Sequence, residues 1–228
     1  MKKHNGIAIA LAWPETLCKQ AGSWYDTPLK WLGINKNYYY KVGHAAVVLI
    51  ESETGDCHYF DFGRYHSPFQ QGRVRSSSSD HDLEIKSKGV IVNNCLTNFK
   101  EILLEVSNNE SCHGNGHLHA SYCFINFNSA YIKAIEMQKQ SPIRYGPFLP
   151  MGTNCSRFVN TVILSGKPNI INRLLLVSPK TLSPTPISNV KALQNYFKLS
   201  DTNAFISAYN RTNSLNKYLT TEMALLHE

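Results

Sequence analysis

Short apolar runs recur along the chain and predict a set of buried β-strands. The sequences GIAIALAWP at residues 6–14 and HAAVVLIES at residues 44–52 are apolar over most of their length, which is typical of buried strands. The segment ETGD that follows the second run is typical of a hairpin turn, so CHYFDFGRY at residues 57–65 is predicted to be its partner strand. Residues 88–94 and 117–126 are further strand candidates.

Apolar residues recur at helical spacing in three other segments. Residues 96–109 predict an amphipathic helix with one apolar side, formed by Leu96, Phe99, Leu103 and Val106. Residues 128–140 predict a second helix, with Asn128 or Ser129 as its N-cap. The third predicted helix begins near residue 155 and is closed by Ser165, Gly166 and Pro168.

The remaining segments are interrupted by turn-forming residues. We expect a short helix and a loop within residues 24–43, and a loop with short structured pieces within residues 167–193. No motif is recognisable from about residue 190 onward. Since the chain shows no internal repeat and no clear linker, it is expected to form one domain.

The amino-acid composition indicates a globular protein, but it does not identify a function. Of the 228 residues, 43% are hydrophobic and 17% are charged, which is an ordinary globular balance. The net charge is +7, but the basic residues are scattered and follow no nucleic-acid-binding pattern, so no nucleic-acid partner is expected. The six cysteines form no CxxC pair and do not indicate a disulfide framework.

The N-terminus resembles a signal peptide only superficially. Its apolar run, residues 6–13, is short and is interrupted by Pro14, with no small-residue cleavage site after it. A first buried strand is the favoured interpretation. Because no segment approaches the roughly 20 apolar residues of a membrane helix, no stable membrane insertion is expected. A cytoplasmic protein is the favoured prediction, and export stays open.

Cys155 is the first candidate for chemistry. The residues before it, Gly152, Thr153 and Asn154, are typical of the end of a loop, and the predicted helix follows directly. Free backbone N–H groups and the helix dipole at such a position favour an anion and lower the pKa of a thiol. Cys155 is therefore a candidate nucleophile, provided that a histidine can reach it.

His44 and Asp61 are the candidate partners of this thiol. His44 opens a strand that is otherwise apolar, where it serves either a reaction at the sheet rim or only a structural hydrogen bond. Asp61 lies between two phenylalanines, and a buried carboxylate is rare unless it is paired. An adjacent antiparallel strand could place Asp61 beside His44; the alternative is a salt bridge with Arg64 or Arg73.

The sequence stretches GHAAVVLI, YFDFGRY, GRVRS, YGPF and GTNCSRFV together resemble a known group of enzymes. They are similar to the permuted papain-like cysteine hydrolases of the NlpC-type superfamily, which include YiiX-type bacterial proteins and relatives of lecithin:retinol acyltransferase, and within it to an uncharacterised bacterial subfamily. In this branch the nucleophile follows the histidine. The resemblance implies Cys155 as nucleophile, His44 as base and Asp61 as the residue that orients the imidazole.

The same resemblance implies a fold and a domain. The implied fold is α+β, with an antiparallel sheet or small barrel packed against helices and the nucleophile at a helix N-terminus. The catalytic domain would span residues 1–228, with residues from about 167 as a C-terminal extension. Asp61 follows His44 at a longer interval than is common in the superfamily, so the hairpin between them must be longer.

The implied chemistry is acyl transfer through a thiolate. Backbone N–H groups at the helix start would hold the oxyanion, and Tyr145 and Asn154 are candidate donors or substrate contacts. Tyr145 has an alternative interpretation as an aromatic anchor of its loop. The segment GRVRS either binds a substrate anion or pairs with the acids of SDHDLE, and we favour the pairing.

No metal or other cofactor is expected. The stretch from Cys112 to Cys123 has zinc-ligand residue types, namely Cys112, His113, His117, His119 and Cys123. Their spacing fits no standard zinc finger, and the two glycines among them are typical of a turn.

Three functions compete at this level. The favoured one is a cysteine peptidase or amidase acting on a small peptide or cell-wall fragment. The second is a thiol acyltransferase or lipid-ester hydrolase, for which Trp24, Trp31 and the run 38–40 could line an apolar groove. The third is a catalytically silent binding module on the same scaffold. The preference for an amide substrate rests on analogy with the superfamily.

Overall fold

A computed structural model describes most of the chain up to residue 199 and one short strand beyond it. The described residues are 4–19, 22, 26–31, 35–36, 39–40, 42–112, 114–178, 182–199 and 207–209.

An eight-stranded sheet forms the centre of the molecule. Its strands are β1 (Gly6–Trp13), β5 (His44–Glu51), β6 (Cys57–Gly63), β7 (Gln71–Arg75), β10 (Leu118–Ile125), β11 (Ile143–Arg144), β12 (Gln194–Leu199) and β13 (Ser207–Tyr209). They are ordered β11-β7-β6-β5-β1-β10-β12-β13, and every neighbouring pair is antiparallel. Two small sheets accompany it, formed by β2 (Cys18–Lys19), β3 (Asn35–Lys36) and β4 (Tyr39–Tyr40), and by β8 (Ile91–Val92) and β9 (Cys95–Leu96).

Helices cover both faces of this sheet. They are α1 (Asp26–Trp31), α2 (Phe99–Asn108), α3 (Phe127–Lys139), α4 (Cys155–Ser165), α5 (Ile170–Val177) and α6 (Pro186–Lys191), with short 3-10 turns at His81–Leu83 and Glu110–Cys112. Apolar residues of α3, α4 and α6 join one buried cluster, and those of α2 join the cluster on the other face. The double cover explains why all residues of β1 are buried, since a strand covered on both faces needs apolar side chains in both directions.

The predicted fold class is confirmed as α+β, with a large antiparallel sheet against helices. The alternative of a small closed barrel is wrong, because among the described residues the sheet ends at β11 on one edge and β13 on the other. The hairpin of β5 and β6 is confirmed, with Ala46 opposite Asp61. No described helix has the length and apolar character needed to cross a bilayer.

One local expectation was wrong, and two segments for which no element was predicted join the main sheet. The N-cap of α3 is Asn126, whose side chain accepts from the N–H of Ser129 at 2.9 Å, rather than Asn128 or Ser129. The basic segment after Gln70 forms β7 inside the main sheet. Residues 194–199, in the part of the chain that carries no motif, pair with β10 in that sheet. The structure thus extends the sheet beyond residue 167, where an extension of the domain was predicted.

Candidate active site

The N-terminus of α4 holds Cys155 at the margin of the buried core. Asn154 precedes the helix in an extended conformation, and its side-chain oxygen accepts a hydrogen bond from the N–H of Arg157 at 2.8 Å. This N-cap makes Cys155 the first residue of the helix. The thiol is buried in the same apolar cluster as Phe158 and Val159. The predicted position of Cys155 at a helix start is confirmed.

His44 is held at the first position of β5. Gly43 before it has a φ of +76°, and a Cβ at this position would lie 2.8 Å from the carbonyl oxygen of Trp13, so glycine is required there. The Trp13 ring stacks on the imidazole with centroids 5.8 Å apart. The imidazole is therefore fixed by backbone geometry on one side and by an aromatic ring on another.

Asp61 reaches His44 across the β5–β6 hairpin. Ala46 is opposite Asp61 in the ladder and lies two residues after His44, so His44 and Asp61 face the same side of the sheet. The Nε2 of His44 is 3.3 Å from Oδ2 of Asp61. At the start of β5, the side chain of His44 and the backbone of Ala45 both act on the Cys155 thiol and lower its pKa. The structure brings together the three residues named from the sequence.

Arg75 and two tyrosines complete the surroundings of Asp61. The Nε and Nη2 of Arg75 donate to the carboxylate at 3.0 and 2.6 Å, and both side chains are buried. The hydroxyls of Tyr59 and Tyr65 donate to Oδ2 at 3.2 and 3.0 Å. The guanidinium carbon of Arg75 also lies 3.5 Å from the centroid of the Tyr65 ring. Asp61 thus serves both His44 and an arginine, and that arginine is neither Arg64 nor Arg73.

The pKa values of His44, Cys155 and Asp61 differ from the ordinary values of these side chains. Burial alone would lower the pKa of His44, but hydrogen bonds to Asp61 and Cys155 outweigh it and raise this pKa to about 9. Burial would raise the pKa of the Cys155 thiol, but the hydrogen bond and the positive charge of His44 hold it below its ordinary value. Burial would also raise the pKa of Asp61, but His44 and Arg75 lower it to about 2. Together the shifts favour a thiolate–imidazolium pair near neutral pH.

A second thiol lies near the site without sharing this activation. Cys18 donates to the carbonyl oxygen of Gly43 at 3.4 Å. Burial, and next to it the negative charge of Cys155, raise the pKa of Cys18 to about 12. Because the thiolate is the reactive form of a cysteine, these opposite shifts favour Cys155 over Cys18 as the candidate nucleophile.

A known protein family matches the part of the chain that carries these site residues. A family model described as type VI secretion system effector TseH-like matches residues 8–170, a span that includes His44, Asp61 and Cys155. The match covers more than half of the 228 residues. The chain belongs to the TseH-like family.

The solved structures agree with this membership. The crystal structure of the type VI secretion system effector TseH superposes with a TM-score of 0.61 and 19% sequence identity, covering 91% of this chain and 99% of that chain. At this identity the likeness shows the fold alone, which is papain-like. No curated protein matches the chain. The papain-like part of the resemblance is confirmed, and the permuted, YiiX-type branch stays a prediction.

Tyr145 and Asn154, the predicted oxyanion or substrate contacts of this TseH-like chain, have structural roles. The Tyr145 ring stacks on Phe62 with centroids 5.8 Å apart, and the guanidinium carbon of Arg64 lies 5.2 Å from its centroid. Asn154 caps α4 through its side-chain oxygen. These contacts fit an anchor and a cap, and a contact of either residue with a substrate stays a prediction.

We expect Asn154→Ala to lower the free energy of unfolding by about 1 kcal/mol and to slow alkylation of Cys155, because the first turn of α4 frays. Asn169→Ala is the matched control. Asn169 caps α5 in the same way, because its side-chain oxygen accepts a hydrogen bond from the N–H of Asn172 at 2.9 Å. The control should lose similar stability and keep the alkylation rate. Urea unfolding and iodoacetamide kinetics measure both; equal alkylation rates in the two variants would contradict a role of the cap at the thiol.

Two polar side chains near the site lie in other environments. His58 packs against Tyr131 with ring centroids 5.1 Å apart, on the opposite face of β6 from Asp61, as strand alternation predicts. Arg73 binds both carboxylate oxygens of Asp80 at 2.7 Å, which confirms the favoured pairing for this arginine. For Arg75 a surface pairing is wrong, because its partner is buried.

The predicted zinc-type residues do not converge. Cys112 is buried on one face of the sheet and Cys123 on the other. His119 is hydrogen bonded to the Tyr196 hydroxyl at 2.6 Å, and His113 lies outside the described residues. Within the part of the chain that the structure describes, no group of three His, Cys, Asp or Glu side chains is placed to hold a metal ion.

Three of the aromatic residues suggested for an apolar groove lie in the described part of the chain, and they differ in exposure. Trp31 is 84% exposed and Tyr39 is 43% exposed, whereas Tyr40 is buried. Trp24 and Tyr38 lie outside the described residues. An apolar groove lined by these residues stays a prediction.

Proposed function

We propose that this TseH-like protein is a cysteine hydrolase of the peptidase or amidase type, which cleaves an amide bond in a peptide or cell-wall fragment. The observation that carries the proposal is the Cys155 thiol at the start of α4, whose pKa is lowered by the hydrogen bond and charge of buried His44, with Asp61 Oδ2 lying 3.3 Å from Nε2 of that histidine. A helix-start thiol, a base and an orienting acid are the parts that nucleophilic acyl transfer needs.

In the proposed mechanism the two ring nitrogens of His44 have different partners. Because Nε2 faces Asp61, Nδ1 is the nitrogen available to the thiol. The thiolate attacks the substrate carbonyl carbon, and the resulting oxyanion accepts hydrogen bonds from backbone N–H groups at the start of α4. The imidazolium then donates its proton to the leaving amine, which gives an acyl-enzyme and a neutral His44. Neutral His44 takes a proton from water, whose oxygen attacks the thioester carbonyl carbon; the C–S bond then breaks, which releases the acid and restores the Cys155 thiolate beside the His44 imidazolium.

We further propose that the chain belongs to the permuted branch of this superfamily and that type VI secretion delivers it out of the producing cell. The order of His44 before Cys155 supports the permutation. Membership of an effector family supports delivery. The expectation of a cytoplasmic protein would then apply to the period before delivery.

The pH dependence of Cys155 alkylation tests the proposal. In the wild type, the rate with iodoacetamide should rise with an apparent pKa well below the ordinary thiol value of about 8.5. In His44→Ala the pKa should rise to that value or above, because burial of the thiol then acts alone. At pH 7 this lowers the rate by about tenfold or more, as the thiolate fraction falls.

Mass spectrometry of peptides separates Cys155 from the five other cysteines in this experiment. His58→Ala is the matched control, since it removes a half-buried histidine from the neighbouring strand but not from the site. Its profile should equal that of the wild type. A Cys155 pKa in the ordinary range that is indifferent to His44 would rule out the thiolate–imidazolium pair and leave a papain-like scaffold used for binding.

A further inference from the structure

Helix α5 carries an apolar face that nothing in the described structure covers. Its exposed apolar side chains are between 45% and 65% accessible, and they are Ile170, Ile171, Leu174, Leu175 and Val177. We propose that this face docks the protein onto an anionic lipid bilayer. The proposal goes beyond the hydrolase function, because it concerns a surface and does not depend on the chemistry of Cys155.

The two sides of α5 are sharply different. Asn172 and Leu176, four residues apart, are buried and attach the helix to the body of the protein. The apolar residues occupy the opposite side, and Arg173 is the charged residue of the helix. An apolar face of this width with a basic flank is the pattern of helices that lie in the interface of a membrane. Apolar patches of this kind on a protein surface usually mark an interaction site.

The basic residues around α5 favour an anionic bilayer as the partner of its apolar face. No aspartate or glutamate occurs between Glu136 and Asp201, while the same stretch holds eight lysines and arginines. Lys167 precedes α5 and Arg173 lies within it, and both are exposed. Basic residues beside an apolar face add attraction to acidic headgroups, whereas a protein partner of mixed charge has no such requirement.

The docking face lies close to the candidate active site. The Nδ2 of Asn160, in the middle of α4, donates to the carbonyl oxygen of Leu176 in α5 at 3.1 Å. Asn160 is five residues from Cys155, which is about 7.5 Å along the helix axis. Helices α4 and α5 also contribute to the same buried cluster. A bilayer bound through α5 would therefore hold the protein with its thiol near the membrane surface.

Vesicle co-sedimentation of the full chain tests this proposal. The protein should sediment with vesicles of phosphatidylglycerol and phosphatidylcholine in equal parts, and much less with phosphatidylcholine alone. Ile171→Asp/Leu174→Asp should lower the partition coefficient about tenfold or more, and raised salt should weaken binding of the wild type. Cys155→Ala should bind like the wild type, which separates this result from that of the hydrolase proposal.

Ile132→Asp is the matched control, because Ile132 is a 56% exposed isoleucine on α3, away from α5. It should bind vesicles like the wild type, and circular dichroism should show that all variants are folded. Equal binding of the double variant and the wild type, or no preference for anionic vesicles, would overturn the proposal. So would a dimer in light scattering that the double variant dissociates, since a second copy of the chain would then be the occupant.

Discussion

Replacing Cys155 with alanine is expected to lower kcat/KM for amide hydrolysis by about 10⁴-fold or more, because the acyl-enzyme can no longer form. The substitution removes one sulfur from a helix start whose cap and apolar contacts remain, so the fold should persist. The measurement is mass spectrometry of the acids and amines released from purified cell-wall peptide fragments, with wild-type and variant enzyme at equal concentration.

Cys57→Ala is the matched control for this loss. Cys57 is a buried thiol at the start of β6, and its sulfur bonds to the carbonyl oxygen of Gly55 at 3.5 Å rather than to a histidine. The control should keep the wild-type rate. Retention of more than a tenth of the activity by Cys155→Ala would show that another group carries the reaction. Cleavage of lipid esters but not of amides, lost with Cys155, would keep the nucleophile and assign the acyltransferase or lipid-ester class instead.

Local sequence predicts a site residue well when nearby residues in the chain determine its position. Cys155 follows a loop and precedes a helical pattern, and the capping residue before it is visible in the sequence. His44 and Asp61 belong to one hairpin, so strand alternation is enough to place them on the same face. Their meeting with Cys155 is different, since it joins segments distant in the chain; there the order of motifs and the family resemblance supplied the pairing.

Arg75 shows why the rest of the site could not be predicted. The segment GRVRS alternates polar and apolar residues, which is compatible with a strand, yet the serines and acids after it are typical of a solvated loop. Only the pairing of β7 with β6, which sets Arg75 opposite Asp61, turns the arginine inward. Arg73, two residues earlier on the same strand, reaches Asp80 outside the core instead. Which arginine pairs with the buried acid is thus decided by register, a long-range property.

The C-terminal part was predicted to be a loop with short structured pieces, and the structure gives those pieces as the short helices α5 and α6. Helix α6 begins at a proline that follows Thr185, and the side chains of Thr185 and Ser188 cap each other's backbone. A segment rich in Pro and Ser predicts a loop when only composition is considered. Strand β12 is short and only partly apolar, and it is recognisable as a strand because β10 offers it a partner.

Breaking the Asp61–Arg75 ion pair is expected to lower the free energy of unfolding more than the loss of any other contact in the site. Asp61→Asn leaves the buried guanidinium of Arg75 without a counter-charge, and we expect the free energy of unfolding at pH 7 to fall by about 3–5 kcal/mol. The double variant Asp61→Leu/Arg75→Met removes both charges together, so it should recover most of this loss. Asp80→Asn is the control, because it breaks a partly exposed pair of similar geometry and should cost at most about 1 kcal/mol.

The same pair predicts how the stability depends on pH. The pKa of Asp61 is lowered from 3.8 to about 2 by His44 and Arg75 against the effect of burial. A carboxyl whose pKa is lowered on folding stabilises the protein above its unfolded pKa, and this contribution disappears as the pH falls through the folded pKa. The difference in unfolding free energy between wild type and Asp61→Asn should therefore be constant between about pH 5 and pH 6, below the range in which His44 titrates, and shrink by about 2 kcal/mol towards pH 2. Urea unfolding at several pH values measures it. Two results would contradict this account. One is a difference in unfolding free energy that stays the same down to pH 2, and the other is a double variant as unstable as Asp61→Asn. Either would show that the buried charges of Asp61 and Arg75 do not stabilise this part of the sheet.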